Sequence, residues 1–85
     1  MQTFTHVIQD PLGLHARPAA LLVKAASAYK SSVSVSYEAW SADAKRIMAL
    51  MRLSAKQGAE LSFTVDGDDE LAAAEGLKAF LRENL

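Results

Sequence analysis

The stretch "VSVSYEAWSAD", residues 33–43, settles the kind of fold this chain adopts. Val33, Val35 and Tyr37 alternate with Ser34 and Ser36, and period two over that length reads as a strand with one buried face and one wet face. Trp40 to Asp43 reads as a short strand returning from it. The hairpin between them has to turn at Glu38-Ala39, a pair far from the Asn-Gly type that such turns favour. Moving outward, Leu61, Phe63 and Val65 alternate with Ser62 and Thr64 in the same way. The opening segment Thr3 to Ile8 repeats the pattern less cleanly, with Phe4, His6 and Ile8 on one side. His6 is then most simply a half-buried packing residue.

Between the strands the spacing becomes helical. In Ala16 to Tyr29, the residues Ala19, Leu22, Val23 and Ala26 fall at i, i+3, i+4 and i+7, and Pro18 is tolerated because it lies in the first turn. Arg46 to Leu53 reads as a short helix that ends before Gly58. From about Glu70 to Asn84, Leu71, Ala74, Leu77 and Leu81 form an apolar stripe behind the turn and cap Asp66-Gly67-Asp68-Asp69. Gly76 inside that helix costs roughly 1 kcal/mol relative to Ala and so marks close packing. The order is β-α-β-β-α-β-α, an α+β arrangement. Strands with one apolar face each need helices on that face only, so the expected architecture is an antiparallel sheet with one bare side.

Composition narrows the function. The 85 residues suit a single domain, 1–85, and contain no cysteine, which removes disulfides, zinc fingers and thiol nucleophiles. Nine Lys+Arg stand against ten Asp+Glu, a net charge of −1. Without a basic stripe, nucleic acid is not an expected partner. The first ten residues carry no basic signal region, and no apolar run approaches the ~20 residues of a membrane span, so no membrane insertion is expected and a cytoplasmic location is the default.

The chemistry concentrates in "GLHARPAALLV", residues 13–23. A helix N-terminus offers unpaired N–H groups and the positive end of the macrodipole, both of which favour an anion. His15 sits there. A neutral imidazole can attack a phosphoryl donor and hold the group as a phosphoramidate, with the helix start at Ala16, Arg17 and Pro18 and the Arg17 guanidinium spreading its charge. Gly13 lets the loop bend to present the ring. No metal or cofactor is needed. A lone histidine before a helix also serves as a polar cap, and a lone arginine as a solvated charge. The convergence of Gly13, His15, Arg17 and Pro18 at one helix start favours the carrier chemistry. Metal binding through His6 and His15 lacks carboxylates at ligand spacing. A Ser-His-Asp set drawn from Ser27 or Ser54 with Asp10 lacks a nucleophile turn.

At these residues the sequence resembles a known family. "PLGLHARPAALLV" (11–23) is similar to the active-site stretch of HPr, the histidine-containing phosphocarrier of the bacterial phosphoenolpyruvate-dependent sugar phosphotransferase system (PTS). "AKRIMALMRL" (44–53) resembles the family signature around its second helix, and "KQGAELSFTVDGDDE" (56–70) its last strand and turn. The resemblance covers essentially the whole chain. It implies an open-faced β-sandwich, a four-stranded antiparallel sheet with three helices on one face. It also implies that His15 accepts a phosphoryl group on Nδ1 from enzyme I and passes it to the IIA domain of a sugar permease, with Arg17 stabilising the phosphate. The protein would then be a stoichiometric carrier and not an enzyme.

A shuttle has to dock on at least two partners. Ile47, Met48 and Met51 fall on a different side of the short helix from Leu50 and Leu53, and methionine suits a surface that adapts to several partners. These three, flanked by Leu14, Ala20, Lys24 and Arg46, are the expected docking residues, and a monomer keeps that face free. The sequence departs from the family at Arg46, where many Gram-positive members carry a regulatory serine. Arginine cannot be phosphorylated by the serine kinase, so that switch is expected to be absent, although Ser41 and Ser54 lie nearby. Trp40 replaces a short polar residue and either covers the bare side of the sheet or extends a contact surface. Rival readings are a carrier of a nitrogen-related or dihydroxyacetone phosphotransfer chain and a regulatory binding module without transfer. Retention of His15 counts against the second.

Overall fold

The computed structural model describes residues 1–85. Its elements are β1 (Gln2–Val7), α1 (Ala16–Ser27), β2 (Ser32–Tyr37), β3 (Trp40–Asp43), α2 (Ile47–Arg52), β4 (Glu60–Asp66) and α3 (Glu70–Asn84). This is the expected β-α-β-β-α-β-α order. The strands form one four-stranded sheet in the order β1-β4-β2-β3, and every neighbouring pair is antiparallel. Ile8, Val33, Val35, Leu61, Phe63 and Val65 point to one side and are buried, meeting Leu22, Leu50, Leu77 and Leu81 of the three helices. Phe4 stacks on Phe63 with ring centroids 5.0 Å apart. His6 is half-buried beside them, its Nε2 enclosed without a hydrogen-bond partner.

The other side of the sheet is bare. Strand register lines up Thr3, Thr64, Ser34 and Asp43 in one row across the four strands, and Thr5, Ser62, Ser36 and Ser41 in the next. These short polar side chains carry the wet half of the alternation seen in the sequence.

Strand β1 runs Gln2–Val7 where Thr3 to Ile8 is expected, three further details differ from the sequence reading, and the alternative it leaves open for Trp40 is decided. Helix α1 stops at Ser27 instead of Tyr29, because the N–H groups of Ala28 and Tyr29 bond three residues back, to Ala25 and Ala26, and tighten the last turn. Helix α2 is shorter at both ends, with Arg46 and Leu53 as its caps. Leu71, expected on the buried stripe of α3, is 67% exposed. At about 100° per residue it stands well off the arc of Ala73, Ala74, Leu77 and Leu81, and Ala73 takes the inward position. Trp40 lies on the same side of β3 as the buried Ala42, beside Ala49, Arg52 and Leu53 of the α2 region. It extends the helical side, 69% exposed, and leaves the bare face uncovered.

One turn and one helix position answer to tight local constraints. Glu38 turns the β2–β3 hairpin with φ +55°, a left-handed conformation reached without glycine. Gly76 meets Tyr29 so closely that an added Cβ would lie 2.0 Å from its hydroxyl oxygen, which accounts for the glycine in the helix interior. At the start of α3 the Asp69 carboxylate accepts the N–H groups of Lys30 (2.8 Å) and Ser31 (2.9 Å) and the Ser31 hydroxyl, joining α3 to the head of β2. The Ser31 hydroxyl, followed by the backbone donors, lowers the Asp69 carboxyl to about 2.

Candidate functional site

His15 is positioned by the segment that precedes it. Asp10-Pro11-Leu12-Gly13 closes a turn in which the Gly13 N–H donates to the Asp10 carbonyl (2.9 Å) and the Leu12 N–H to Asp10 Oδ1 (2.9 Å). Aspartate first and proline second are the residues this turn prefers. The turn is laced to the chain between α2 and β4. Leu14 N–H donates to the Ala55 carbonyl (2.9 Å), Ile8 N–H to that of Ala59 (2.9 Å) and Gly58 N–H to that of Ile8 (2.8 Å). Gly13 has φ +71°, and a Cβ there would lie 2.6 Å from the Ala55 carbonyl oxygen and 2.8 Å from Lys56 Cα. Only glycine lets the two segments approach this closely.

From that anchorage His15 enters α1 as its N-cap, with extended backbone (φ −95°, ψ −176°) and no side-chain cap. Its carbonyl accepts the Ala19 N–H at 3.0 Å, the first bond of the helix. The imidazole is therefore free of a capping role. Ala16 and Arg17 carry the first helical N–H groups, which have no intrahelical acceptor, and Pro18 has none to satisfy. Pro18 is buried while Ala16 and Arg17 are exposed. The imidazole is partly exposed, and its Nε2 lies 3.6 Å from Asp10 Oδ2. Asp10, Leu12, His15, Arg17, Leu21 and Asn84 line a shallow cleft of about 330 Å³. A tetrahedral anion bound there would meet the ring, the free N–H groups and the guanidinium together.

The expected docking residues separate into two groups. Ile47 and Met48 are exposed, Met48 at 67%, and Met51 is half-buried against the core, while Leu50 and Leu53 face inward. Ala20 and Lys24 are exposed on α1. Arg46 is exposed at the start of α2, with Nε 3.8 Å from Asp43 Oδ2 and no capping bond to the helix. Leu14 does not join them: at 5% exposure it is a core residue, drawn inward by its hydrogen bond to Ala55. Its side chain is not available to a partner.

Three neighbours of His15 lie outside the sequence-predicted carrier site, Asp10 figuring in the sequence only as the acid of an unsupported Ser-His-Asp set. Leu12 is 75% exposed at the tip of the turn, and Leu21 lies on the cleft one helical turn beyond Arg17. Asp10 is the third. The D-P-x-G signature of residues 10–13 was the available signal, because the turn it specifies folds residue 10 back toward residue 15.

The chain is similar to known proteins over nearly its whole length. Residues 2–83 match the family described as PTS-HPr, "PTS HPr component phosphorylation site". A phosphocarrier protein HPr from Lysinibacillus sphaericus is 41% identical over 83 residues, spanning 98% of this chain and 94% of the relative. The crystal structure of an HPr from Thermoanaerobacter tengcongensis superposes with a TM-score of 0.93 at 37% identity, covering 99% of this chain and 94% of the other. A dimer of HPr from the same organism aligns at TM-score 0.77 and 37% identity, covering 98% and 95%.

Proposed function

This chain belongs to the HPr family of PTS phosphocarriers, and from that premise we propose that His15 accepts a phosphoryl group on Nδ1 from enzyme I and passes it to IIA domains of sugar permeases. The observation that carries the proposal is the placement of His15. It is an uncapped, partly exposed imidazole at the head of α1, beside two free N–H groups and Arg17. HPr is a carrier and not a catalyst, so each molecule is loaded and unloaded once per cycle.

The chemistry asks little of the chain beyond placement. The donor's phosphoryl group arrives on a partner, and the ring must stand in line with it. Arg17 and the N–H groups of Ala16 and Arg17 then share the charge of the bound group. Pro18 holds the first turn rigid beneath them. Docking falls to Ile47, Met48 and Met51 with Ala20, Lys24 and Arg46 around them, an apolar centre with a basic margin. In this proposal that face works unobstructed in a monomer that meets its partners in the cytoplasm. No helix is long and apolar enough to cross a membrane.

The test is incubation with phosphoenolpyruvate and enzyme I from the same host, read by intact mass and acid lability. One acid-labile phosphate on the wild type and none on His15→Ala is the expected result. An unlabelled wild type, under conditions that label a reference carrier, would overturn the proposal.

A further inference from the structure

We infer that Asp10 is a positioning residue for His15: its carboxylate holds the proton on Nε2 and so leaves the Nδ1 lone pair free as the nucleophile. The inference rests on the carrier reading of His15. Its grounds are geometric. Asp10 Oδ2 lies 3.6 Å from Nε2, an electrostatic approach longer than a hydrogen bond, and the other carboxylate oxygen is committed, since Oδ1 accepts the Leu12 N–H at 2.9 Å. The Asp10 carbonyl takes the Gly13 N–H, also at 2.9 Å. The backbone of Asp10 is thus fixed by one bond and its carboxylate by another, with one oxygen left to face the ring. Neutral imidazole has one donor and one acceptor nitrogen, and the partner of one nitrogen decides the role of the other. A negative, acceptor-only carboxylate on the Nε2 side of the ring favours the Nε2–H tautomer electrostatically.

The same contact serves the transfer step. The Nδ1 lone pair forms the new N–P bond, the P–N bond of a phosphohistidine donor breaks, and its electron pair returns to the donor ring. The Nε2 proton stays in place throughout. His15 becomes an Nδ1-phosphoryl imidazolium whose positive N–H faces the Asp10 carboxylate, on the opposite side of the ring from the phosphoryl oxygens. Onward transfer reverses these changes and returns the neutral Nε2–H form, ready for the next donor.

Two substitutions separate this role from a merely structural one. Asp10→Asn keeps the turn, because the amide oxygen can still accept the Leu12 N–H. It then presents its NH2 to Nε2, a donor where an acceptor stood, and favours the opposite tautomer. Asp10→Ala loses the side-chain bond to the Leu12 N–H, keeps the backbone bond from Gly13, and presents nothing to the ring. The measurement is long-range ¹⁵N–¹H spectroscopy of the histidine rings at a pH where they are neutral, with His15→Ala to assign the signals. The ratio of Nε2–H to Nδ1–H tautomer is expected to fall in the order wild type, Ala, Asn, by about threefold for Ala, a few tenths of a kcal/mol as befits a solvent-screened carboxylate beside a neutral ring. A role confined to the turn would instead leave Asn like wild type and make Ala the outlier. That order, or identical ratios in all three proteins, would overturn the inference. A wild type that shows the tautomer order yet takes no phosphate would count against the carrier reading and leave Asp10's hold on the ring standing.

Discussion

Gly13→Ala probes the joint that presents His15, and Gly58→Ala supplies its control. Both glycines have positive φ, +71° and +89°, so each alanine must adopt a left-handed backbone at a cost of about 1 kcal/mol. They differ in what surrounds them. Nothing lies within 4 Å of a Cβ at Gly58, whereas one at Gly13 would press on the Ala55 carbonyl oxygen at 2.6 Å and Lys56 Cα at 2.8 Å. Those are backbone atoms and cannot rotate away. Overpacking of this kind adds about 1–3 kcal/mol. Gly13→Ala is therefore expected to cost about 3 kcal/mol, against about 1 kcal/mol for Gly58→Ala. With a urea slope of about 1 kcal/mol/M for a chain of this size, the midpoints fall by about 3 M and about 1 M. Far-UV circular dichroism is the proper readout, because Trp40 is 69% exposed and reports poorly on the core. Labelling of His15 at low temperature should drop in Gly13→Ala, whose turn is displaced, and persist in Gly58→Ala. Equal midpoint shifts in the two variants would refute the reasoning, since they would show that the loop relaxes around the added methyl.

Two further outcomes are expected. The Asp69 carboxyl, held at about 2 in the folded chain by the Ser31 hydroxyl and its backbone donors, compares with about 3.9 when unfolded, so its contribution is complete above pH ~4 and lost as the pH falls through ~2. Urea midpoints between pH 5 and pH 2 should decline less steeply in Asp69→Asn than in wild type. Gly76→Ala should destabilise despite alanine's better helix propensity, because its Cβ meets Tyr29 Oη at 2.0 Å and Cζ at 3.0 Å. In a Tyr29→Phe background the same substitution should cost less, and thermal melts of the four proteins give the coupling directly.

The sheet was legible because alternation is a local signal: Val33, Val35, Leu61, Phe63 and Val65 each lie where period two places them. The helices were legible from period 3.6, and the candidate site was read from the convergence of Gly13, His15, Arg17 and Pro18 at one helix start. What escaped was settled by tertiary contact. Leu71 and Ala73 compete for the inward arc of α3, and the sheet beneath selects the alanine. Leu14 reads as exposed beside a reactive histidine until its N–H is seen to bond Ala55, forty-one residues away in the sequence. Gly76 announced a close neighbour without saying that it was Tyr29, and Asp10 announced a turn without showing where the carboxylate would point. Such pairings lie outside any local window.

The bare face of the sheet has a kinetic consequence. Its rows of threonine and serine, from Thr3 and Thr5 across to Ser41 and Asp43, leave Val7 as the one large apolar side chain of β1 on that face, so under the proposed function a partner grips the helical side. A carrier with a single gripping side cannot be handed directly from loader to recipient while both hold it. It must let go of one before meeting the other. Flux through such a relay is then limited by how briefly each complex lives, and tight docking would throttle the pathway it serves. Fast release on both visits, and not high affinity for either, is what this one-sided architecture demands.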